Sequence, residues 1–172
     1  MNAPLPSAYL AGPDVFFPNA KEEGKRKCEI LLSHGIEGLF PLDNEIAEGE
    51  EMARRIFEAN VALIKRSDIV LANIVPFRGP SLDPGTAWEI GCAYALGIPV
   101  ICYGSTTTYL ERCRELGLES VSAGFDSQGM LIEDFGEQEN LMISRCASLL
   151  VGSFEEAASA ARKILEESRL LQ

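Results

Sequence analysis

Apolar stretches alternate with helical patterns along this chain, an arrangement typical of β-α units that build a parallel sheet. The third apolar stretch, SDIVLANI, is almost uninterrupted and rich in β-branched residues, as expected for a strand buried on both faces. Strands are predicted at residues 8–12, 38–42, 67–74, 99–104 and near 148–152. The pattern therefore predicts a five-stranded α/β sandwich with three layers.

The spacing of apolar residues predicts helices between these strands. In the second helix Met52, Ile56, Ala59 and Leu63 recur at intervals of three or four residues. The predicted helices cover residues 19–35, 50–66, 84–96, about 108–116, about 138–147, and a last segment that begins at Ser153. Residues 1–6, 43–50 and 120–129 are the segments predicted to be least ordered, and none is long enough to link two domains.

Length and charge limit the domain count and the partners. A chain of 172 residues with 47% hydrophobic content can close one core and has little left for a second, so we predict a single domain over residues 1–172. The formal net charge is −11, and a surface that acidic repels phosphate backbones at long range. Neither a nucleic-acid polymer nor an anionic membrane is therefore an expected partner.

The cysteines and the apolar runs indicate the compartment. Five cysteines without a C-x-x-C pair are typical of free thiols in a reducing environment. The N-terminal residues show no basic region followed by a long apolar run, and no window reaches the ~18 apolar residues that a membrane span requires. We therefore expect a soluble cytoplasmic protein.

The sequence lacks the residues on which many metal and cofactor sites depend. His34 is the only histidine, which argues against a multi-histidine metal site and against a Ser-His or Cys-His catalytic pair, while a carboxylate site for a hard cation stays open. Neither G-x-G-x-x-G nor G-x-x-x-x-G-K-[ST] occurs, so dinucleotide and triphosphate binding lose their usual support. Catalysis would depend on carboxylates, hydroxyls and amides.

Glu89 stands in WEIGCAYALG, a stretch otherwise suited to a buried helix. Burying an ionised carboxylate without partners costs several kcal/mol or more, so its presence needs a reason. Asp83 followed by Pro84 predicts the start of this helix, and Gly85 and Thr86 then share a face with Glu89. The sequence therefore predicts a shelf for a small ligand near the N-terminus of the helix.

A partly buried Glu89 needs a hydrogen-bond donor to stay ionised. The helix N-terminus contributes only ~0.3–1 kcal/mol, less than the 1.36 kcal/mol of one pKa unit. Tyr9, on the first predicted strand beside the binding edge, is the best candidate, since a phenol that donates to a carboxylate contributes roughly 1.5–3 kcal/mol.

Each of these residues also has a purely structural interpretation. Asp83 is explained equally well as a helix cap. Tyr9, taken alone, is better explained as a core aromatic residue whose hydroxyl reaches solvent. Glu89 would face water on an ordinary amphipathic helix, but its apolar neighbours leave little polar face there. The pattern favours a functional Glu89 and leaves Asp83 and Tyr9 open.

Three segments resemble the nucleoside 2-deoxyribosyltransferase family. They are YLAGPDVF at the first strand, SDIVLANIVPFRGPSLDPGTAWEIGCAYALG in the middle and ENLMIS toward the end. The most specific part is D-x-G-T-A-x-E-x-G after a strand, whereas G-T-x-x-E alone resembles phosphoribohydrolases of the cytokinin-activating type. The resemblance implies a flavodoxin-like fold with strand order 2-1-3-4-5, no cofactor, and transfer of 2-deoxyribose from a nucleoside to another nucleobase.

The resemblance also implies roles for individual residues. Glu89 would be the nucleophile that attacks the anomeric carbon, Asp83 the acid that handles the proton on the base, and Tyr9 the donor that orients Glu89. Asn140 would contact the sugar in the site of a neighbouring subunit, which implies a homo-oligomer. The other expected substrate contacts are Gly12, Asp14, Phe16, Asn60, Phe77, Arg78, Gly85 and Thr86.

Some of these contacts have alternatives. A number of relatives carry Asp where this chain has Asn60, and an amide can hydrogen-bond a base or a sugar hydroxyl but cannot exchange a proton at neutral pH. Asn60 can also be a surface or packing residue. Phe77 and Arg78 would stack on and hydrogen-bond a nucleobase, although a loop arginine is as often simply solvated.

Two further functions stay open beside the transferase. Related enzymes hydrolyse 2-deoxynucleoside 5-monophosphates. Asp14 is expected to repel a phosphate, which favours nucleosides as substrates, whereas Ser81 and Arg78 keep nucleotide hydrolysis open as an alternative. A nucleoside-binding module would have the pocket without turnover, but a binder gains nothing from an anionic Glu89 beneath the sugar. The expected partners are nucleosides and free nucleobases.

Overall fold

The computed structural model describes residues 4–43 and 51–170, and its strands form one parallel sheet. The predicted strand order is confirmed, because the sheet runs β2-β1-β3-β4-β5. The strands are β1 (Ser7–Ala11), β2 (Glu37–Leu39), β3 (Ile69–Asn73), β4 (Val100–Tyr103) and β5 (Leu149–Val151). From β1 the chain runs to β2 on one side and then returns to β3 on the other side of β1. The carboxyl ends of β1 and β3 therefore flank the point where the strand order reverses, which is where ligands bind in open sheets of this kind.

Six helices and two 3-10 turns accompany the strands within residues 4–43 and 51–170. The helices are α1 (Ala20–Ser33), α2 (Met52–Arg66), α3 (Pro84–Ala95), α4 (Tyr109–Glu115), α5 (Leu141–Ser144) and α6 (Phe154–Leu170). The 3-10 turns are Pro13–Phe16 after β1 and Pro41–Asp43 after β2. Within the described ranges, no helix is long and apolar enough to cross a membrane.

Two sequence predictions of element length were wrong. The helix expected at about 138–147 is only the four-residue α5, because Asn140 caps its start by accepting a hydrogen bond from Met142 N, and the chain turns toward β5 soon after Ser144. The second strand ends at Leu39 rather than residue 42, since Pro41 begins a 3-10 turn.

The segments expected to be least ordered differ among themselves. Residues 120–129 take a defined turn, in which isolated bridges join Glu119 to Asp126 and Phe125 to Leu131. Pro6 accepts a hydrogen bond from the Glu37 amide at 2.8 Å. Residues 1–3 and 44–50 lie outside the described residues.

The sheet has an apolar layer on each face, as the predicted three-layer sandwich requires. On one face α1 and α6 pack against residues such as Leu10 and Leu71, and on the other α2 and α3 pack against Tyr9 and Val70. Because successive strand residues point to opposite faces, Tyr9 and Leu10 separate into different layers. This alternation directs the phenol of Tyr9 toward α3.

A buried polar network closes the carboxyl ends of β1, β3 and β4. Lys27 Nζ lies 2.8 Å from Asp14 Oδ1 and donates to the Tyr103 hydroxyl at 2.9 Å. Asn73 Nδ2 donates to both oxygens of Asp14 at 3.1 and 3.2 Å. The side chain of Asp14 is therefore held inside the protein, and its negative charge is paired with the positive charge of Lys27.

We expect Lys27→Met to destabilise the protein strongly, because it leaves the Asp14 carboxylate buried without its cation. Breaking a buried ion pair from one side costs about 3–5 kcal/mol, which urea unfolding would measure. The matched control is Lys25→Met on the same helix, where the lysine forms only an exposed pair with Glu29 at 3.9 Å. Equal midpoints for the two variants would contradict the claim that the buried Asp14 carboxylate depends on Lys27 for its charge partner.

Candidate active site

A cavity of about 330 Å³ opens at the carboxyl end of β1, between the two 3-10 turns, α2 and the start of α3. Apolar side chains form much of its wall, and Asn60, Asp83 and Glu89 are its polar lining residues. Its lining residues are Gly12, Val15, Phe16, Pro41, Leu42, Ile56, Asn60, Asp83, Gly85 and Glu89. The site thus combines two carboxylates and one amide with an apolar surface, which suits a small ligand with a few polar groups.

Glu89 projects from the second turn of α3 toward β1 and accepts a hydrogen bond there. The donor is the hydroxyl of Tyr9, 2.5 Å from Glu89 Oε1. Tyr9 is completely buried and sits in the same apolar layer as Ile90 of α3. The packing of α3 on the sheet therefore sets the relative position of the phenol and the carboxylate.

The environment of Glu89 shifts its titration toward neutral pH. The pKa of Glu89 is raised from 4.5 to about 7, mainly by burial and also by the negative charge of Asp83, while the hydrogen bond from Tyr9 partly offsets this rise. Burial, and next the charge of Glu89, raise the pKa of Tyr9 well above its usual range. Tyr9 consequently keeps its proton and remains a donor while Glu89 changes between its two protonation states near pH 7.

Asp83 occupies the N-cap position of α3 and also lines the cavity. Its Oδ2 accepts hydrogen bonds from the backbone N–H of Thr86 at 2.9 Å and from the Thr86 hydroxyl at 3.1 Å. Within the described ranges Oδ1 accepts no hydrogen bond from the protein. The cap interpretation and the functional one are therefore compatible, because one oxygen serves the helix and the other has no protein donor.

Gly85 and Asn60 also line the cavity, Gly85 with bare backbone and Asn60 with a side-chain amide. A Cβ at position 85 would lie 2.9 Å from Asp83 Oδ2, so glycine leaves the backbone beside the carboxylates bare. Asn60 extends from α2, and its Oδ1 is buried without a hydrogen-bond partner in the described part of the chain. An unpaired buried acceptor costs about 1–3 kcal/mol, which a ligand donor would recover.

Phe16, Phe77 and Arg78 form a group of contacts that reaches the cavity through Phe16. The rings of Phe16 and Phe77 lie 5.2 Å apart at an interplanar angle of 23°. The guanidinium carbon of Arg78 is 4.6 Å from the centre of Phe77 and 5.8 Å from that of Phe16. Of the three, only Phe16 lines the cavity itself.

Gly12, Thr86 and Asn140, three further predicted contacts, lie at different distances from the cavity. Gly12 lines it, and glycine is favoured there because φ is +153° and a Cβ at this position would come within 2.7 Å of the Asn73 Cβ. Thr86 is buried behind Asp83 and does not line the cavity. Asn140 caps α5 and donates to Glu133 Oε2 at 2.8 Å. Its expected contact with a neighbouring subunit stays a prediction.

The expectation for Asp14 needs a correction. We expected this residue to contact the substrate and its charge to repel a phosphate, but its carboxylate does not line the cavity and is paired with Lys27. Burial of the pair, with Asn73 as a second donor, removes most of the charge that a ligand would meet. Asp14 therefore gives no argument for nucleosides over nucleotides.

The sequence analysis did not identify the apolar wall of the cavity. Val15, Pro41, Leu42 and Ile56 line it from both 3-10 turns and α2. Ile56 was one of the regularly spaced apolar residues of the second helix, but that spacing does not distinguish a residue facing the core from one facing a cavity. The two turns carry no periodic signal at all.

Comparison with known proteins identifies the family. The sequence model of the family "Nucleoside 2-deoxyribosyltransferase" matches residues 8–142. The chain belongs to this family. An uncharacterised protein of Schizosaccharomyces pombe is 32% identical to this 2-deoxyribosyltransferase family member, with 80% of this chain and 75% of the yeast protein covered.

Two solved structures resemble this chain. The 2-desoxiribosyltransferase of Leishmania mexicana has a TM-score of 0.75 and 30% identity, covering 92% of this chain and 97% of that one. The 2-deoxyribosyltransferase of Bacillus psychrosaccharolyticus has a TM-score of 0.59 and 24% identity, with 88% and 90% covered, and shows the shared fold. Among the described residues, no group of three or more His, Cys, Asp and Glu side chains is arranged to hold a metal ion.

We expect Glu89→Gln to stabilise the protein increasingly as the pH rises. Because the folded-state pKa of Glu89 lies above its ordinary value of 4.5, the wild type loses stability as the pH rises from that value through about 7, whereas glutamine does not titrate. The difference in unfolding free energy should grow by about 2 kcal/mol between about pH 5.5 and about pH 8. Urea unfolding at several pH values would measure it.

The control for this comparison is Glu58→Gln, which removes an exposed carboxylate from α2. It should give a difference from the wild type that changes little over the same range. A Glu89→Gln difference that stays constant with pH would contradict a raised pKa at Glu89.

Proposed function

We propose that this protein is a nucleoside 2-deoxyribosyltransferase in which Glu89 is the nucleophile. The observation that carries the proposal is the Glu89 carboxylate on the cavity surface, with a 2.5 Å hydrogen bond from buried Tyr9. A carboxylate that is partly desolvated and oriented by one neutral donor keeps an oxygen available for attack. The family and the Leishmania relative support the same reaction class.

The proposed reaction has two displacements at the anomeric carbon. A Glu89 oxygen forms a C–O bond with this carbon while the C–N bond to the base breaks, and the bonding electron pair leaves with the base nitrogen. A second nucleobase then attacks from the vacated face, forms a new C–N bond and releases the Glu89 carboxylate. Two inversions give overall retention of configuration.

Asp83 handles the proton in this scheme. The departing base gains negative charge, and a carboxyl group beside it can deliver a proton and later take one back from the incoming base. Asp83 lines the cavity six residues before Glu89, and its Oδ1 has no donor from the described protein. Asn60 contributes an amide whose unpaired Oδ1 accepts a hydrogen bond from the substrate.

The sugar becomes positively charged in the transition state, which explains why a carboxylate with a raised pKa is useful. Charge on the sugar ring attracts the Glu89 anion more strongly in a water-poor cavity than in bulk solvent. The pKa of about 7 leaves a large fraction of Glu89 ionised at neutral pH. Ionised Glu89 is then ready to attack without an additional base.

A second candidate is hydrolysis of 2-deoxynucleoside 5-monophosphates, favoured by one observation. Arg78 has no carboxylate partner in the described ranges and lies over Phe77 and over Phe16, which lines the cavity. A guanidinium without an anionic partner suits a phosphate group. Since Asp14 is neutralised by Lys27, its charge does not oppose this alternative.

We expect the protein to exchange bases, which one incubation tests. Deoxyinosine would be supplied with and without free adenine, and its 5-monophosphate in parallel, and the products separated by chromatography. Formation of deoxyadenosine supports the transferase, release of hypoxanthine without exchange supports a hydrolase, and neither product supports a binding module. The preferred donor distinguishes nucleoside from nucleotide.

In the same assay Glu89→Ala and Glu89→Gln should lose at least ~10³-fold in turnover, since both remove the nucleophile. A 2-fluoro substrate analogue should label the wild type at Glu89, detected by peptide mapping. Tyr94→Phe, an exposed change on the same helix, is the control. A loss below tenfold at Glu89, or a label elsewhere, would refute the assignment.

We expect Tyr9→Phe to move the acidic limb of the pH–rate profile to higher pH. The Tyr9 hydrogen bond lowers the pKa of Glu89, so its removal raises that pKa further above about 7 and reduces the ionised fraction at neutral pH. The measurement is kcat/KM for deoxyinosine over a range of pH. Part of the lost rate should return at alkaline pH, and an unshifted profile with uniformly lower rate would contradict the role given to Tyr9.

A further inference from the structure

Arg112 and Glu139 form a second buried ion pair, which the proposed reaction does not use. Arg112 Nη2 lies 2.9 Å from Glu139 Oε1, and both side chains are almost completely buried. Moving two charges out of water carries a penalty of several kcal/mol per ion, which is offset only when the geometry is good and the remaining polar atoms are satisfied. A pair of this kind is weak as a source of stability and is better explained by what it holds in place.

All five N–H groups of the Arg112 guanidinium have acceptors. They are the carbonyl oxygens of Pro80, Thr107 and Gln138, the hydroxyl of Ser105 and the carboxylate of Glu139, at 2.5–2.9 Å. Only arginine presents five donors in a fixed planar fork, so a lysine at this position cannot make the same contacts.

These acceptors belong to three different loops. One loop follows β3 and leads to Asp83, another follows β4, and the third leads to Asn140 at the start of α5. Their sequence separation from Arg112 ranges from 5 to 32 residues. The guanidinium therefore joins segments that share no regular secondary structure.

Glu139 also holds Leu82, the residue directly before Asp83. Its Oε2 accepts a hydrogen bond from the backbone N–H of Leu82 at 3.3 Å, while Arg112 holds the carbonyl of Pro80 at 2.6 Å. On the other side, Asp83 is fixed by its bonds to Thr86. The position of Asp83 is thus set by α3 from one direction and by the buried ion pair from the other.

We propose that the Arg112–Glu139 pair positions Asp83 for proton transfer to the departing base. The inference rests on the proposed function, in which Asp83 is the proton donor. Neither Arg112 nor Glu139 lines the cavity, so both act through the loop and are positioning residues. A shift of about 1 Å in a catalytic group can cost ~10²-fold in rate, which is the size of effect that a loosened loop would produce.

The test compares two substrates that differ in their need for a proton. Deoxyinosine requires protonation of the leaving base, whereas 7-methyl-2′-deoxyguanosine carries a positive charge on the base and releases a neutral 7-methylguanine without one. If the pair acts through Asp83, Arg112→Met should lower kcat for deoxyinosine by ~10-fold or more and change kcat for the methylated substrate less than about threefold. Asp83→Asn should show the same selectivity.

Controls separate positioning from folding. The double variant Arg112→Met with Glu139→Leu removes both charges together and so avoids a stranded buried ion; it should fold and show the same selective loss. Arg114→Met removes an exposed ion pair from the same helix and should leave both substrates unaffected. Adding Arg112→Met to Asp83→Asn should cause little further loss on deoxyinosine, because the two changes act on one step.

Each outcome has a distinct meaning. Equal losses on both substrates in the Arg112 variants, or full additivity with Asp83→Asn, would overturn the positioning role while leaving the proposed function in place. Glu89→Gln should lose activity on both substrates. Retention of activity in that variant, or no turnover of either substrate by the wild type, would defeat the proposed function and the inference with it.

Discussion

Tyr9 donates the one hydrogen bond that the Glu89 carboxylate accepts within the described ranges, and the site depends on it. A carboxylate in an apolar layer must be neutralised, paired or hydrogen-bonded, since leaving it bare costs several kcal/mol. A neutral phenol supplies only part of the lost solvation, so burial still raises the pKa of Glu89 to about 7. This incomplete compensation lets Glu89 change between its two protonation states near neutral pH. In the proposed reaction, a stronger partner would stabilise the anion and weaken it as a nucleophile.

Two carboxylates that are more deeply buried than Glu89 in the described part of the chain illustrate that contrast. Asp14 is paired with Lys27 and also accepts hydrogen bonds from Asn73, while Glu139 is paired with Arg112. Each pair joins a turn or loop to a helix, and neither pair lines the cavity. The two carboxylates outside the cavity are thus paired with cations, whereas Glu89, which lines the cavity, has a neutral hydrogen-bond donor. The charge of the partner therefore distinguishes Asp14 and Glu139 from Glu89, a difference that the sequence pattern does not show.

The sequence predicted the parallel sheet, its strand order and the meeting of Tyr9 with Glu89. Strand and helix periods fix the layers, and the family resemblance supplies the order. The sequence could not predict that Asp14 turns inward, because the partner Lys27 belongs to a helix whose charged residues all appear exposed from the pattern. Nor could it identify Arg112, whose acceptors are mostly backbone carbonyls, atoms that every residue carries and no pattern marks. The length of α5 was overestimated since Glu139 and Asn140, which precede it, form tertiary and capping contacts instead of continuing a helix.

The neutralised Asp14 changes the argument about the substrate. The charge of Asp14 is paired, whereas Arg78 has no carboxylate partner in the described ranges. Its guanidinium carbon lies 5.8 Å from the centre of the Phe16 ring, and Phe16 lines the cavity. The N–H groups of a guanidinium match either a phosphate or the polar edge of a base. The choice between nucleoside and nucleotide therefore depends on what Arg78 meets. The rest of the cavity, with its apolar walls and two carboxylates, is equally suited to both.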